Sequence, residues 1–298
     1  MTMSWRGLFA LTLVFFTTVS FGQTNILNAK SPDEIGEPTE AQRLSDLNDK
    51  PLEYGYIEDR DVLWSKNVWE VIDLDERVNF PLFYPIDTNN IGGNRRSLYD
   101  VLMTGIKDGT IENIYADSYF TEKRSLKDIQ ATLSKVDTTD LGIEQYNAGE
   151  QVEEQFIDRR DLTSADIAEY HIRGMWYFDK RQAELKYRLL GIAPVAPDVN
   201  FIDSGQTDLV ELFWVWFPDA RELLHDHQAF SGGNSSQSLS FDHLLNARRF
   251  NGIIYQEENV QGDRQINDYI VENAFMQLLE SERIKEQIRD FEQDMWNY

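Results

Sequence analysis

Residues 175–189 leave this chain little conformational choice. Met175-Trp176-Tyr177-Phe178 is a run of large apolar side chains, Asp179–Gln182 is polar, and Leu185, Tyr187 and Leu189 then alternate with polar neighbours. An apolar, aromatic run, a short polar turn and period-two alternation predict a β-hairpin. A hairpin alone is marginal in water and needs further strands or a packed helix. Pro194 and Pro197 are expected to end it, because proline cannot donate to a ladder. Upstream, Val62–Asp73 carries Trp64 and Trp69 on either side of the polar triplet Ser65-Lys66-Asn67, which predicts strand, turn, strand, closed by Pro81 and Pro85.

Helical patterns fill the intervals. Over Arg96–Ile106, Ser97 can cap, Leu98, Val101, Leu102 and Ile106 make one face, and Gly109 lies beyond the end. Ser125–Leu133 predicts a second short helix. The Ser-capped pattern recurs at Ser240, with Phe241, Leu244 and Leu245 behind it and Gly252 beyond. Trp, polar turn, strand, prolines, capped helix and Gly therefore occur in the same order twice. The expected fold is α+β: two related small α/β lobes with mixed or antiparallel strands at 54–136 and 162–265, plus C-terminal helices at 266–298. Leu209–Phe217 reads as a buried strand of the second lobe, and the acidic, weakly apolar stretch Asp137–Asp161 as a linker between lobes. Near the end, Ile270, Ala274 and Leu278 form one stripe, and Ile284, Ile288, Phe291 and Met295 another that is out of phase with it. Both stripes are expected to pack on the core, with a helix break near Ser281.

The N-terminus has a different grammar. Arg6, the apolar stretch Leu8–Phe16 and the small residues of Ser20-Phe21-Gly22 are the three parts of a secretory signal peptide, residues 1–22, cut between Gly22 and Gln23. Residues 23–53 are polar and acidic, with Pro32, Pro38 and Pro51, and read as a flexible arm that orders on a partner. With 28 Lys and Arg against 52 Asp and Glu, the formal net charge is −24, which disfavours a nucleic-acid binder. No apolar run after the leader approaches the ~20 residues of a membrane span. The chain has no cysteine, so disulfides, thiolate metal sites, cysteine nucleophiles and an acylated cysteine are excluded. The expected location is the periplasm.

Motifs that would carry chemistry are sparse. His225-Asp226-His227 offers two imidazoles but no third ligand, and Asp73-Leu74-Asp75-Glu76 lacks the Gly and distal Glu of a calcium loop. Gly232-Gly233-Asn234 suits a turn, and no phosphate-binding glycine loop or nucleophile elbow is present. No catalytic, cofactor-binding or metal-binding residue is expected, and no cofactor. Tryptophan is the residue most enriched in binding hot spots, so Trp64, Trp69, Trp214, Trp216 and Trp296 are the candidate interface residues. This composition favours a binding or assembly subunit. The alternatives are a periplasmic carbohydrate hydrolase using paired carboxylates, or a soluble periplasmic ligand-binding protein.

Four blocks carry a family resemblance. Asp61-Val62-Leu63-Trp64-Ser65-Lys66-Asn67-Val68-Trp69, with Ile72-Asp73-Leu74 and Asn79-Phe80-Pro81-Leu82, is the first, and Leu212-Phe213-Trp214-Val215-Trp216-Phe217-Pro218-Asp219-Ala220-Arg221 the second. Phe241-Asp242 through Arg248-Arg249-Phe250 to Ile254-Tyr255 is the third, and Glu282-Arg283-Ile284-Lys285-Glu286 to Asp294-Met295-Trp296 the fourth. Over roughly 54–298 the chain resembles the gliding motility protein GldN, called PorN in other members. The resemblance implies a non-enzymatic, exported structural subunit of the type IX secretion and gliding machinery. It implies self-association in a periplasmic ring with the lipoprotein GldK (PorK) under the outer membrane, and communication with the inner-membrane motor pair GldL and GldM.

Overall fold

A computed structural model describes residues 49–87, 96–149, 153–200, 208–229, 239–271 and 273–296. The expected signal peptide with its Gly22–Gln23 cut, and nearly all of the 23–53 arm, lie outside the described residues. Of the two compact units into which the chain divides, 1–50 and 51–298, the second holds every described element.

In chain order these elements are β1 (Val62–Asp73), α1 (Phe80–Phe83), α2 (Leu98–Asp108), β2 (Ile114–Tyr115), α3 (Leu126–Leu133), β3 (Ser134–Thr138), α4 (Asp140–Asn147), β4 (Ile157–Asp161), β5 (Glu169–Asp179), β6 (Glu184–Pro197), β7 (Leu209–Glu211), β8 (Trp214–Trp216), α5 (Phe217–Asp226), β9 (Gln228–Ala229), β10 (Leu239–Ser240), α6 (Phe241–Asn246), β11 (Ile253–Glu257), α7 (Ile266–Tyr269) and α8 (Ala274–Trp296). The class is α+β. Seven strands form one antiparallel sheet in the order β11-β1-β5-β6-β8-β2, with β7 also paired to β6.

The β5–β6 hairpin is where the aromatic pattern puts it, with Phe178 opposite Leu185 and Trp176 opposite Tyr187. Its second strand runs through Pro194 and ends at Pro197. Pro194 turns its carbonyl to the amide of Leu212, between β7 and β8, so its missing N–H falls where those two short strands leave a gap. Leu209–Phe217 is correspondingly not one strand. It is β7 and β8, separated by Leu212 and Phe213, whose side chains enter the core, and then Phe217, the first residue of α5.

Val62–Asp73 is one strand, not a hairpin. Ser65, Lys66 and Asn67 pair with Tyr177, Trp176 and Met175 along β5. Their polarity is satisfied laterally: Lys66 Nζ lies 2.5 Å from Glu257, and Asn67 Nδ2 donates to Glu258 at 2.7 Å. Because β1 sits between β5 and β11, the segments expected to form two separate lobes contribute strands to a single sheet. Asp137–Asp161 is not a bare linker either. It holds α4 and most of the β3–β4 hairpin, pinned at its base by buried Leu133 and Leu162, whose backbones bond at 2.9 Å.

The sheet has two unlike faces. On one, Ile72, Tyr170, Ile172, Leu189 and Ile192 pack against α2, α5 and α6. Ser97 and Ser240 cap α2 and α6 through the amides of Asp100 and His243, and Gly109 ends α2 at φ 76°. Ser125 caps α3 with a reciprocal Asp128 bond. Further along, Val68 and Ile254 meet Ile284 and Ile288 of α8. The opposite face buries Trp69, Ala193 and Trp214 under Tyr115, Phe120 and Tyr255, with no helix residue in the cluster.

α8 is continuous over 23 residues, without the expected break. Ser281 lies mid-helix and buried, and its hydroxyl accepts from the amide of Ile254 at 2.8 Å. That amide belongs to β11, an edge strand of the sheet, so the helix that covers the edge also satisfies it.

Candidate functional site

The five candidate tryptophans divide. Trp69 and Trp214 are fully buried, so as interface residues they are corrected: they are core. Among the described residues no helix residue enters this cluster, and the indole rings fill it. Trp64 is half-buried and stacks on Phe291 of α8 at 4.7 Å, fixing the C-terminal half of that helix to β1. Trp216 is half-buried and meets Phe120 nearly at right angles, with ring centroids 4.8 Å apart. Trp296, near the end of α8, is 67% exposed.

A larger apolar surface lies at the opposite end of the same helix. The contacts of α8 with the sheet begin at Ser281 and run through Ile284, Ile288 and Phe291. The turns before Ser281, about 10 Å of helix, have no such cover. Val271, Phe275, Met276, Leu278 and Leu279 are all exposed, Phe275 by 67%. The stripe Ile270–Ala274–Leu278, expected as core, is therefore corrected: Ile270 packs partly, while Ala274 and Leu278 face outward. Side-chain bonds hold this end in shape, since Gln277 Nε2 donates to the Ile270 carbonyl at 2.7 Å and Tyr269 donates to Glu280 at 3.2 Å. Five large apolar side chains exposed within nine residues amount to several hundred Å² of apolar surface, roughly the size that marks an interaction site. The β3–β4 excursion adds a second such surface, with Val136, Leu141, Ile143 and Tyr146 exposed.

Two charged clusters stiffen the sheet. On the helix-free face His171 Nδ1 lies 2.7 Å from Glu211 and its Nε2 lies 3.1 Å from Glu169. Trp214 Nε1 donates to the second oxygen of Glu211 at 2.7 Å. Burial alone lowers the pKa of the imidazole, but the two carboxylates outweigh it and push it up to about 9. Burial likewise raises the Glu211 carboxyl, and the bonds from His171 and Trp214 reverse this, leaving it lowered. On the other face the fully buried Glu70 takes two bonds from Arg248, 2.7 and 3.0 Å long, and Arg248 lies over Tyr187 at 4.2 Å.

This arrangement holds surfaces in place. Glu169 and Glu211 are both engaged by His171, and His227 bonds the Leu223 carbonyl at 2.9 Å from the end of α5. Among the described residues no group of three or more His, Asp or Glu is placed to hold a metal ion, and no helix is long and apolar enough to cross a membrane. Sequence reasoning missed the α8 overhang, whose one signal was the phase slip between the two stripes.

The chain matches the model of one protein family, described as "Gliding motility associated protein GldN", over residues 57–297. No curated protein matches it.

Proposed function

The chain belongs to the GldN family of gliding motility associated proteins, and from that premise we propose that it is a non-enzymatic structural subunit of the type IX secretion and gliding machinery. In this reading residues 1–22 export it to the periplasm. There it associates with itself and with a GldK (PorK) type lipoprotein in a ring under the outer membrane, and meets the inner-membrane pair GldL and GldM. The observation that carries the reading is the apolar overhang of α8. A sheet braced by buried ion pairs holds a helix end whose large apolar residues its own body leaves uncovered, which suits a subunit that another protein completes. The acidic chain favours a basic partner, since opposite charge offsets repulsion between copies and speeds encounter.

The test is pull-down of the tagged protein from envelope extract, compared with Phe275→Asp and Leu278→Asp variants. Both sites are exposed, so stability should stay within about 0.5 kcal/mol, while recovery of the co-purifying lipoprotein should fall at least tenfold. Binding should also weaken between about 50 and 500 mM salt if charge steers it. Full recovery of the partner by both variants would overturn the assignment of this surface.

A further inference from the structure

The second and third sequence blocks meet at a place that the assembly reading does not use. Arg221 of α5 and Asp242 of α6 form a buried ion pair, Nε to Oδ1 at 2.8 Å and Nη2 to Oδ2 at 3.2 Å. The outer side of this pair is closed by residues 52–57, an irregular segment that pairs with no strand. Arginines hold that segment by its main chain. Arg221 Nη2 donates to the Leu52 carbonyl at 2.7 Å, Arg188 Nη2 to that of Gly55 at 3.2 Å, and Arg181 Nη2 to that of Tyr56 at 2.8 Å. One side chain anchors it. The Tyr54 ring lies 4.1 Å from the Arg221 guanidinium carbon and 4.6 Å from that of Arg188. Its hydroxyl donates to Asn246, which in turn donates to Asp242. Leu52 and Tyr56 are 83% and 78% exposed.

These contacts describe a bound peptide: carbonyls read by guanidinium groups, one aromatic anchor at Tyr54, a half-buried Ile57 beside Tyr177 and Arg188, and Leu52, Glu53 and Tyr56 open to solvent. A grip on carbonyls does not depend on which molecule supplies them. Among the described residues, the segment's covalent route to the body is the stretch that leads into β1. Tyr54 is eight residues before Val62, so the extended chain can carry its ring up to about 26 Å from the start of the strand.

We propose that the Arg181–Arg188–Arg221 groove is a receptor for this tyrosine-anchored segment, and that in the assembly a second copy of the chain supplies it, residues 52–57 being exchanged between neighbours. Every copy brings one groove and one segment, so exchange keeps every contact and loses none, which makes it a low-cost link between protomers. The inference rests on the reading that copies stand side by side.

Because the chain has no cysteine, introduced thiols are its only ones. A Tyr56→Cys chain and a Gln182→Cys chain, differently tagged, would be co-expressed in cells that carry the machinery, and the envelope treated with a bismaleimide. Gln182 and Tyr56 both border the 430 Å³ cavity that lies between the segment and the body. The expected result is a product of twice the chain mass carrying both tags, reduced several-fold by Arg188→Ala in the Gln182→Cys chain or by excess free peptide of residues 51–58. Co-purification of the tags without cross-linker reads assembly separately. Tags that co-purify with no mixed product, while a doubly substituted chain couples within itself, would overturn exchange and leave the assembly reading standing. Tags that do not co-purify would overturn both. Coupling of the Gln182→Cys chain to a different envelope protein, or a mixed product indifferent to Arg188→Ala and to peptide, would overturn the second copy as occupant.

Discussion

Replacing His171 by Gln should remove a pH dependence from the stability of this protein, and the geometry fixes its sign and size. The imidazole is bonded on both nitrogens by carboxylates, and its pKa in the folded chain is pushed up to about 9, against about 6.5 for an unperturbed histidine. Between those values the folded chain binds a proton that the unfolded chain has released, so stability falls as pH rises. The contribution is full below pH ~6.5 and lost as pH passes ~9. With these constants linkage gives about 3 kcal/mol at pH 6, about 2 at pH 7.5 and under 0.5 at pH 9. Urea unfolding followed by tryptophan fluorescence at those three pH values and fixed ionic strength measures this. The native chain should lose about 2–3 kcal/mol more than His171→Gln between pH 6 and 9. Parallel losses in the two proteins, or an NMR titration placing His171 near 6.5, would refute the clamp. On the acid side the lowered Glu211 acts oppositely. Its contribution is present above its unfolded value and lost as pH falls through the folded one.

Three further substitutions probe the rest of the frame. Gly191→Ala places a Cβ 2.5 Å from the Phe120 ring and 3.3 Å from Trp214, and should cost about 1–3 kcal/mol in a thermal melt, where overpacked cores fall. Ser281→Ala deprives the Ile254 amide of its acceptor and should cost about 1–3 kcal/mol with faster hydrogen exchange at that amide. Glu70→Gln leaves the Arg248 guanidinium beside a neutral side chain where a fully buried carboxylate stood. A loss of about 3–5 kcal/mol in denaturant unfolding is expected, and a loss under 1 would show that solvent reaches the pair.

What could be read in advance follows from how far apart the partners are. Ser97, Ser125 and Ser240 each cap a helix through an amide three residues on, and all three are visible as sequence. Ser281 presents the same signal, a serine ahead of an apolar stripe, yet its hydroxyl is taken by Ile254, a strand residue 27 positions earlier. A cap and a cross-element acceptor look alike until the sheet edge is known. Ser65-Lys66-Asn67 fails in the same way: a polar triplet marks a turn unless distant Glu257 and Glu258 arrive to pair with it. The shared sheet follows, because a strand mistaken for a hairpin makes its own small lobe, whereas an unbroken β1 needs β5 on one side and β11 on the other. The α8 overhang was hidden for a related reason. A stripe of apolar residues records that one face is apolar, not whether the body extends beneath it, and here the sheet stops near Ser281. The arginine groove had the weakest signal of all. Its ligand is recognised through three backbone carbonyls, and a carbonyl is the one group that every residue shares.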